Sequence, residues 1–531
     1  MTSRPLTLYV LIALFIALLP ALLLRDLNPV NEFNYLAIAH DALERGTLFA
    51  FYQDGIPYAD KPPLYLWIAM LSYKLGGLNP FILLCVGATL PLLGLFYVMD
   101  RFLGRGYSAR ERALMLLALA SLLFLSAQGV MGRMDILFTF FIALAWLMTK
   151  ERVREVLRDG ISFRYRLTLP LCIFAGLFTK GPYAVIFILL ALFFLLLFKG
   201  ALRQYFRVFK PSFFLVLLTL TVLWALCVLA DGGMDYAREL FVGQSEKRLA
   251  GSTGHPRPVY WYLTNLWYIA APVAFAGLLF TVMDVKARLS TLSVERLGCL
   301  AFCAAVFITV SLPSSKLEIY LTPALPFAAY YVLLSLLEFK QESAGRLTRH
   351  LLRLSFILPL LPFAALLPAY FILRHSIPLL NSTPLLALPF ALISLAALYA
   401  LWLAVKERHL TALAWLGGGI LSFFLSLGFC LPALNPYLGY HDLAQAASKA
   451  LDDGYGPTLC TLKVRTPQNF FLYDARFKVV EDPENWQEDC QGAVILASRK
   501  SMQRSPELRD ELLQAGGVMI GDNLILTLPR N

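Results

Sequence analysis

The chain has 531 residues, of which 58% are hydrophobic and only 15% are charged. A soluble domain usually carries about 25% charged residues, so this composition excludes an ordinary soluble protein and predicts a polytopic α-helical membrane protein. The formal net charge of +11 is compatible with nucleic-acid binding, but the distribution of lysine and arginine gives it another explanation.

Apolar runs of about 20 residues recur through the first 437 residues, and each predicts a membrane span. The first run has no clear cleavage site after it, so we interpret it as a span and not as a signal peptide. A shorter apolar stretch at residues 64–76 predicts an interfacial segment. Thirteen spans are predicted, at residues 7–24, 80–99, 112–128, 134–149, 167–181, 183–198, 213–230, 264–283, 297–312, 320–337, 351–373, 383–405 and 411–432.

Lysine and arginine alternate in abundance between successive connecting segments. With the N-terminus inside, the inner segments carry 24 of these cations and the outer segments before the last domain carry 12. The positive-inside rule therefore predicts that Lys61, Asp135 and the C-terminal region lie on the outer face. The net positive charge is then mostly a topology signal, and no nucleic-acid partner is expected.

Residues 438–531 have the composition of a small soluble domain outside the membrane. Helix-like and strand-like segments alternate there, which predicts an α/β domain. The segments are 441–452, Thr458–Leu462, Phe477–Val480, Ala493–Ala497, 505–515 and Val518–Leu528. Two of the eight cysteines, Cys460 and Cys490, belong to this domain; they form a disulfide in an oxidising compartment or remain two buried thiols.

The first outer segment, residues 25–79, opens with a helix pattern. Apolar residues from Tyr35 to Leu43 follow helical spacing, and Gly46 is a suitable stop, which predicts an amphipathic helix in the plane of the interface. Asn31 is an expected N-cap. Glu32 is either a first-turn carboxylate favoured by the helix dipole or a functional acid.

The same segment ends in Tyr58, Asp60 and Lys61, followed by two prolines that fix the backbone and can open a helix over 63–76. A lysine held beside the membrane surface suits a lipid-borne phosphate. The alternative is a lysine that extends from a helix end to the interface.

Arg133 and Asp135 stand in a short outer segment between two apolar runs. Charged residues in such sequence are functional candidates, although an ion pair at the start of the next helix is an alternative. Lys180 precedes Gly181 and Pro182; it is either a functional cation or part of a turn, and we prefer the turn.

Later outer segments add further polar residues. Arg248 is a possible phosphate ligand because guanidinium groups bind phosphate oxygens in pairs. His255 is weak evidence for a metal. Lys316 and Tyr320 lie in another polar turn, so cations, carboxylates and phenols from distant segments all fall on one predicted face.

These motifs resemble the integral-membrane glycosyltransferases of the C-type fold that use polyprenyl-phosphate sugars. The similarity is strongest to the lipid A aminoarabinose transferase and protein O-mannosyltransferase-like group. It rests on four blocks: Asn31-Glu32-x-Asn34-Tyr35, Tyr58-x-Asp60-Lys61-Pro62-Pro63, Gly132-Arg133-Met134-Asp135 and Ser315-Lys316-Leu317-x-x-Tyr320.

The resemblance implies roles for several residues. Lys61 matches the lysine that holds the donor phosphate, and Arg248, Tyr320 and Lys316 are expected as further phosphate ligands. Asp135 matches an acidic residue important for catalysis, and Asp60 matches an acidic position that can contribute to a divalent-metal site.

Two positions depart from the family pattern. Asn31 and Asn34 stand where an aspartate and an arginine are usual, and an amide cannot act as a base. Glu32 is then the carboxylate of the first block that could do so. The loss of the arginine shifts phosphate binding towards Lys61 and Arg248.

The expected reaction is an inverting displacement at the outer face of a bacterial inner membrane. A sugar on undecaprenyl phosphate passes to an acceptor such as lipid A or another envelope glycoconjugate, with Glu32 or Asp135 as base if the acceptor is a hydroxyl. The alternatives are a transporter or lipid flippase, and a polymerase or ligase of lipid-linked glycans. The sugar and the oligomeric state stay open.

Overall fold

A computed structural model of the chain describes residues 4–160, 163–243, 256–339, 345–381 and 383–528. Helices dominate the part that precedes residue 439. They are α1 (Arg4–Leu24), α2 (Glu32–Arg45), α3 (Pro63–Gly76), α4 (Phe81–Leu103), α5 (Ala109–Ala120), α6 (Leu123–Ala127), α7 (Met134–Asp159), α8 (Thr168–Lys180), α9 (Tyr183–Phe198), α10 (Tyr205–Val208), α11 (Pro211–Arg238), α12 (Trp261–Ile269), α13 (Ala274–Lys286), α14 (Val294–Ser311), α15 (Leu325–Glu338), α16 (Arg346–Ala364), α17 (Leu366–Leu373), α18 (Pro378–Asn381), α19 (Ala387–Val405) and α20 (His409–Leu438). A two-stranded hairpin, β1 (Tyr52–Gln53) and β2 (Ile56–Pro57), lies between α2 and α3.

Eight helices of the described chain are long and apolar enough to cross a membrane, and two bent helix pairs raise the number to ten. Helices α8 and α9 are apolar but have only 13 and 16 residues. At a rise of about 1.5 Å per residue they reach about 20 and 24 Å, short of a hydrocarbon core of about 30 Å. Helix α7 has 26 residues, but its last third is charged. Thirteen spans therefore remain a prediction.

Two of the predicted spans are broken helices. The run at 112–128 folds into α5 and α6, which meet at 77°, and the run at 264–283 folds into α12 and α13, which meet at 118°. Pro272 lies in the second break, and a proline cannot donate the backbone hydrogen bond that would continue a helix. The sequence predicted a span at each of these two places but not the break within it.

Helix α2 has the predicted start and stop, but its surroundings differ from the prediction. Gly46 ends it in the left-handed conformation with φ 71°. Asn31 holds the N-cap position without a capping side-chain bond; instead the Asn28 side chain accepts from the Asn31 N–H at 3.3 Å. Phe33 packs against Tyr473 with ring centroids 5.2 Å apart. The helix is therefore covered by the C-terminal domain and does not lie open on the interface.

The C-terminal region forms the small α/β domain that was predicted. Its helices are α21 (His441–Asp452), α22 (Trp486–Asp489), α23 (Arg499–Arg504) and α24 (Pro506–Gln514), and its strands are β3 (Thr458–Leu462), β4 (Lys478–Glu481), β5 (Val494–Ala497), β6 (Val518–Ile520) and β7 (Asn523–Thr527). The sheet order is β4-β3-β5-β7-β6. Strand β3 pairs in parallel with β4 and β5, and β7 pairs antiparallel with β5 and β6. Cys460 and Cys490 form a disulfide. Of the two alternatives, the disulfide and not the pair of buried thiols is therefore observed.

The C-terminal domain, which the composition separates at residue 438, packs against the first outer segment. Leu27 and Phe33, from the first outer segment, belong to the same buried cluster as Tyr440 and Phe470 of the C-terminal domain. A shared apolar core of this kind fixes the C-terminal domain against α2.

Candidate active site

A cavity of about 220 Å³ lies where the first outer segment meets α7, α8, α9 and the turn before α15. Its wall combines charged groups with aromatic rings. The lining residues are Tyr35, Asp60, Lys61, Arg133, Met134, Asp135, Phe138, Lys180, Tyr183, Phe187, Val310, Pro313, Ser315, Tyr320 and Pro323. Five segments that are far apart in sequence thus meet at one place, including Tyr35, Lys61, Asp135 and Tyr320 from the four predicted blocks.

Asp135 is the charge at the centre of this wall. It is only 3% exposed, and both of its carboxylate oxygens are engaged. One accepts a hydrogen bond from the Lys180 ammonium, and the other accepts from Arg133 Nε at 3.2 Å. A buried carboxylate needs such compensation, because an unpaired charge away from water is costly. Asp135 therefore holds two cations at the cavity.

The Lys180 ammonium also lies against aromatic rings. Its Nζ is 4.8 Å from the centroid of the Tyr320 ring and 5.7 Å from that of Phe138. Attraction between a cation and a ring face is strongest where water is excluded. Lys180 is thus fixed at the same cavity wall as Tyr320.

Tyr35 contributes a phenol from α2 to this wall. Burial, and then the negative charge of Asp135, raises the pKa of Tyr35. The phenol is therefore protonated at neutral pH and can donate a hydrogen bond to an anion in the cavity.

Hydrogen bonds from two side chains of α11 hold the loop that precedes Lys61. The Asp231 carboxylate accepts hydrogen bonds from the backbone N–H groups of Leu48, Phe49 and Ala50 at 2.7, 2.6 and 3.0 Å. The Tyr236 hydroxyl accepts from the Phe51 N–H and donates to the Tyr58 carbonyl, both at 3.0 Å. The end of α11 therefore holds both sides of the β1–β2 hairpin, three residues before Lys61.

Glu32 lies outside the cavity, and its hydrogen bonds link α2 to other segments of the chain. It is 2% exposed, and its carboxylate accepts from Arg25 at 2.6 Å, from the Asn28 N–H at 2.9 Å and from the Gly132 N–H at 2.7 Å. A Cβ at Gly132 would lie 2.3 Å from the Glu32 side chain, so only glycine allows this approach. The geometry does not support Glu32 as a base.

The other polar residues of the first segment also have structural partners. The Asn34 side-chain oxygen accepts from Gln53 at 2.8 Å and from Asn469 of the C-terminal domain at 3.4 Å. Asn31 and Tyr58 do not line the cavity. Asn34 thus joins α2, the hairpin and the C-terminal domain.

Lys316 was expected to bind donor phosphate, but its ammonium is turned away from the cavity. It is 1% exposed and donates to the backbone carbonyl groups of Pro313 and Arg257. The neighbouring Ser315 lines the cavity in its place. Lys316 therefore joins two outer loops, and the arrangement does not support its predicted role.

Arg248 and His255 lie outside the described residues, so their predicted roles in phosphate and metal binding stay predictions. Among the residues that the structure describes, no group of three or more His, Cys, Asp or Glu side chains could hold a metal ion. Asp60 reaches the cavity without such a group around it. These residues do not fit a metal site by themselves.

Two polar residues of the cavity were given too little weight or none in the sequence-based predictions. For Lys180 a turn was preferred over a functional role, and Gly181 does form one, with φ 86°. Tyr183 was not singled out. The criterion that found Asp135, a charge embedded in apolar sequence, would have found Lys180 as well.

Known proteins resemble this chain in sequence and in structure. No family model matches the chain. An uncharacterized protein from Aquifex aeolicus (strain VF5) is 27% identical over 369 residues, which cover 68% of this chain and 69% of that protein.

The chain is also similar to two crystal structures of ArnT from Cupriavidus metallidurans. The one bound to undecaprenyl phosphate has a TM-score of 0.71 and 17% identity, covering 99% of this chain and 98% of that one. The apo state has a TM-score of 0.66 and 17% identity, covering 98% and 96%. The chain therefore has the C-type glycosyltransferase fold, with a small C-terminal α/β domain, as predicted.

Proposed function

We propose that this protein transfers a monosaccharide from a polyprenyl phosphate to an acceptor at the outer face of a bacterial inner membrane. The observation that carries the proposal is the cavity that Lys61 lines together with Lys180 and Arg133, the last two of which donate to Asp135. The fold is consistent with it, since the similar ArnT structure contains undecaprenyl phosphate.

The chemistry needs positive charge where the donor phosphate leaves. An oxygen of the acceptor attacks the anomeric carbon, the bond from that carbon to the phosphate oxygen breaks, and the phosphate departs with the electron pair. Lys61 and Lys180 stabilise the charge that develops on this phosphate. The protonated phenol of Tyr35 is a further donor to it.

A second cavity, also of about 220 Å³, shares Asp60 and Lys180 with the first. Apolar side chains line it, among them Leu177, Trp224 and Phe241. A polar cavity beside an apolar one matches a phosphate attached to an isoprenoid chain. We assign the first isoprene units of the donor to the second cavity.

The outer placement of the site rests on charge counts and on the disulfide. Cations are twice as frequent in the predicted inner segments as in the outer ones, as the positive-inside rule requires. The Cys460–Cys490 disulfide belongs to an oxidising compartment. Both observations favour a site that faces the periplasm.

The engagement of both predicted bases, Glu32 and Asp135, favours an acceptor that is already ionised. Glu32 is engaged outside the cavity, and both oxygens of Asp135 accept from cations. A hydroxyl acceptor needs a base within hydrogen-bond reach, whereas a phosphate acceptor does not. We therefore propose a phosphate group as the acceptor, as on lipid A.

Purified protein in detergent tests the function directly. With a polyprenyl-phosphate sugar as donor and lipid A as acceptor, we expect free polyprenyl phosphate and lipid A heavier by one sugar residue, measured by mass spectrometry. Dephosphorylated lipid A is the matched control and should gain nothing. Donor that stays intact with every acceptor would contradict the proposal and would favour a transporter or flippase.

Asp60 provides a separate test of the acceptor class. We expect Asp60→Asn to retain transfer to lipid A within about threefold, because a phosphate acceptor needs no base, whereas loss of a general base costs about 10²–10⁴-fold. Initial rates with the purified variant measure this difference. A loss in that larger range, with stability unchanged, would assign a base to Asp60 and would overturn the phosphate acceptor.

Asp231 should act as a positioning residue for Lys61. We expect Asp231→Ala to raise the KM for the donor about tenfold, because misplacing a group by a fraction of an ångström weakens its contribution. Asp231→Asn keeps one acceptor oxygen and should recover part of the affinity. A role in folding alone would lower the amount of folded protein and leave the KM unchanged.

A further inference from the structure

Another cavity with charged walls, distinct from the two described above, lies at the end of the helical bundle remote from the candidate active site. It has a volume of about 580 Å³, and eight residues from α1, α4, α5 and the α4–α5 turn line it: Thr7, Leu8, Leu11, Tyr97, Asp100, Arg101, Arg105 and Arg112. Thr7 lies in the first turns of α1, whereas Arg25, which holds Glu32, follows the other end of this helix. About 25 Å of helix separates the two sites, so this cavity is not part of the first.

The single carboxylate of this cavity is already compensated. Asp100 is 2% exposed and accepts two hydrogen bonds from the Arg112 guanidinium, one of them from Nε at 2.8 Å. The Thr7 hydroxyl donates to the same carboxylate at 3.0 Å. Asp100 and Arg112 therefore form a neutral pair, and Arg101 and Arg105 add surplus positive charge.

Arg105 is held in place, but its charge is not cancelled. Its Nε donates to the Arg101 carbonyl at 2.9 Å and its Nη1 donates to Glu151 at 3.1 Å. Glu151 also has Lys150 at 3.7 Å, Arg154 at 3.5 Å and Arg164 at 3.8 Å. Lys150 and Arg154 pair with Glu295 as well, and Arg164 pairs with Glu155. Three carboxylates thus face four cations, which leaves one surplus positive charge beside the cavity.

The side chain of Arg101 is exposed and has no hydrogen bond or ion pair within the described ranges of the chain. It extends from the last turn of α4, next to the fixed guanidinium of Arg105. Two neighbouring guanidiniums can bind the oxygens of one phosphate group in pairs.

The remaining wall of the cavity is apolar and faces the membrane. Leu8 is 54% exposed and Tyr97 is 51% exposed, and both are on helices that can span the bilayer. A ligand that satisfies this surface carries an anionic group beside the arginines and a hydrocarbon chain beside Leu8, Leu11 and Tyr97. A free anion would leave that apolar wall uncovered.

We propose that this cavity binds an anionic phospholipid, with its phosphodiester at Arg101 and Arg105 and an acyl chain along α1 and α4. Basic pockets between transmembrane helices are suited to such headgroups. The site is separate from the proposed transfer reaction and does not depend on it.

Native mass spectrometry of the purified full-length protein tests this binding. Phosphatidylglycerol and phosphatidylcholine with identical acyl chains are the probes, and inorganic phosphate is the competitor. We expect the wild type to prefer phosphatidylglycerol, and the double variant Arg101→Gln/Arg105→Gln to bind it about 10- to 30-fold more weakly. Arg101→Gln alone, which removes no side-chain hydrogen bond or ion pair among the described residues, should weaken binding about fivefold.

The matched control removes two charges from the same end of the bundle without touching the cavity. Arg110 and Arg158 are exposed and do not line it, so Arg110→Gln/Arg158→Gln should bind phosphatidylglycerol like the wild type. Equal losses in the two double variants would indicate surface charge alone and would overturn the site. Displacement of the lipid by millimolar phosphate would overturn the choice of a lipid.

Discussion

Replacing Lys61 with methionine should lower the rate of sugar transfer by about 10²–10³-fold, the cost of removing one donor that stabilises developing negative charge. Methionine keeps most of the length of the side chain and removes the ammonium. Pro62 and Pro63 fix the following backbone, and the Asp231 and Tyr236 clamp holds the preceding loop. The loss should therefore be one of charge at the cavity and not of fold.

The measurement compares the rate of release of free polyprenyl phosphate, per mole of folded enzyme, with that of Lys74→Met. Lys74 is exposed in the last turn of α3, in the same outer segment, and that variant should match the wild type. Lys61→Arg keeps the charge and should retain more activity than methionine. Full activity of Lys61→Met would remove the central residue from the proposed mechanism.

Local pattern was sufficient for most of the fold. Continuous apolar runs located the long helices, because composition over about 20 residues reports burial in lipid directly. The C-terminal strands were found from short apolar segments between turns, and β3 has the predicted bounds. The breaks at α5–α6 and α12–α13 could not be found this way, since hydropathy averaged over a window carries no information about helix direction.

The resemblance pointed to Tyr35, Lys61 and Tyr320, which line the cavity. From local pattern alone, a residue of the site was predictable only where it conflicted with its own surroundings. Asp135 stood out as a charge within apolar sequence. Glu32 did not reveal its role, because its partner Gly132 is 100 residues away. A first-turn carboxylate looks the same whether it faces solvent or a distant backbone N–H. A functional role for Lys180 was not preferred for a similar reason, since the Gly-Pro turn beside it was sufficient to explain the local pattern.

A pair of substitutions at Asp135 and Lys180 should separate a positioning role from a catalytic one. Asp135→Asn removes the carboxylate that compensates two cations at a site only 3% exposed. Breaking a buried ion pair from one side costs about 3–5 kcal/mol, so we expect this variant to be markedly less stable and weakly active. Lys180→Met leaves Asp135 paired with Arg133 and should cost less stability.

The double variant Asp135→Asn/Lys180→Met is the decisive measurement. If Asp135 holds the cations in place, removing both partners should restore most of the stability, and transfer per folded molecule should equal that of Lys180→Met. If Asp135 instead takes a proton from the acceptor, the double variant should be as inactive as Asp135→Asn, because no remaining group replaces the base. Thermal unfolding and initial rates on the four proteins give the coupling free energy between the two side chains. The engagement of both Asp135 oxygens by Lys180 and Arg133 leads us to expect the first outcome.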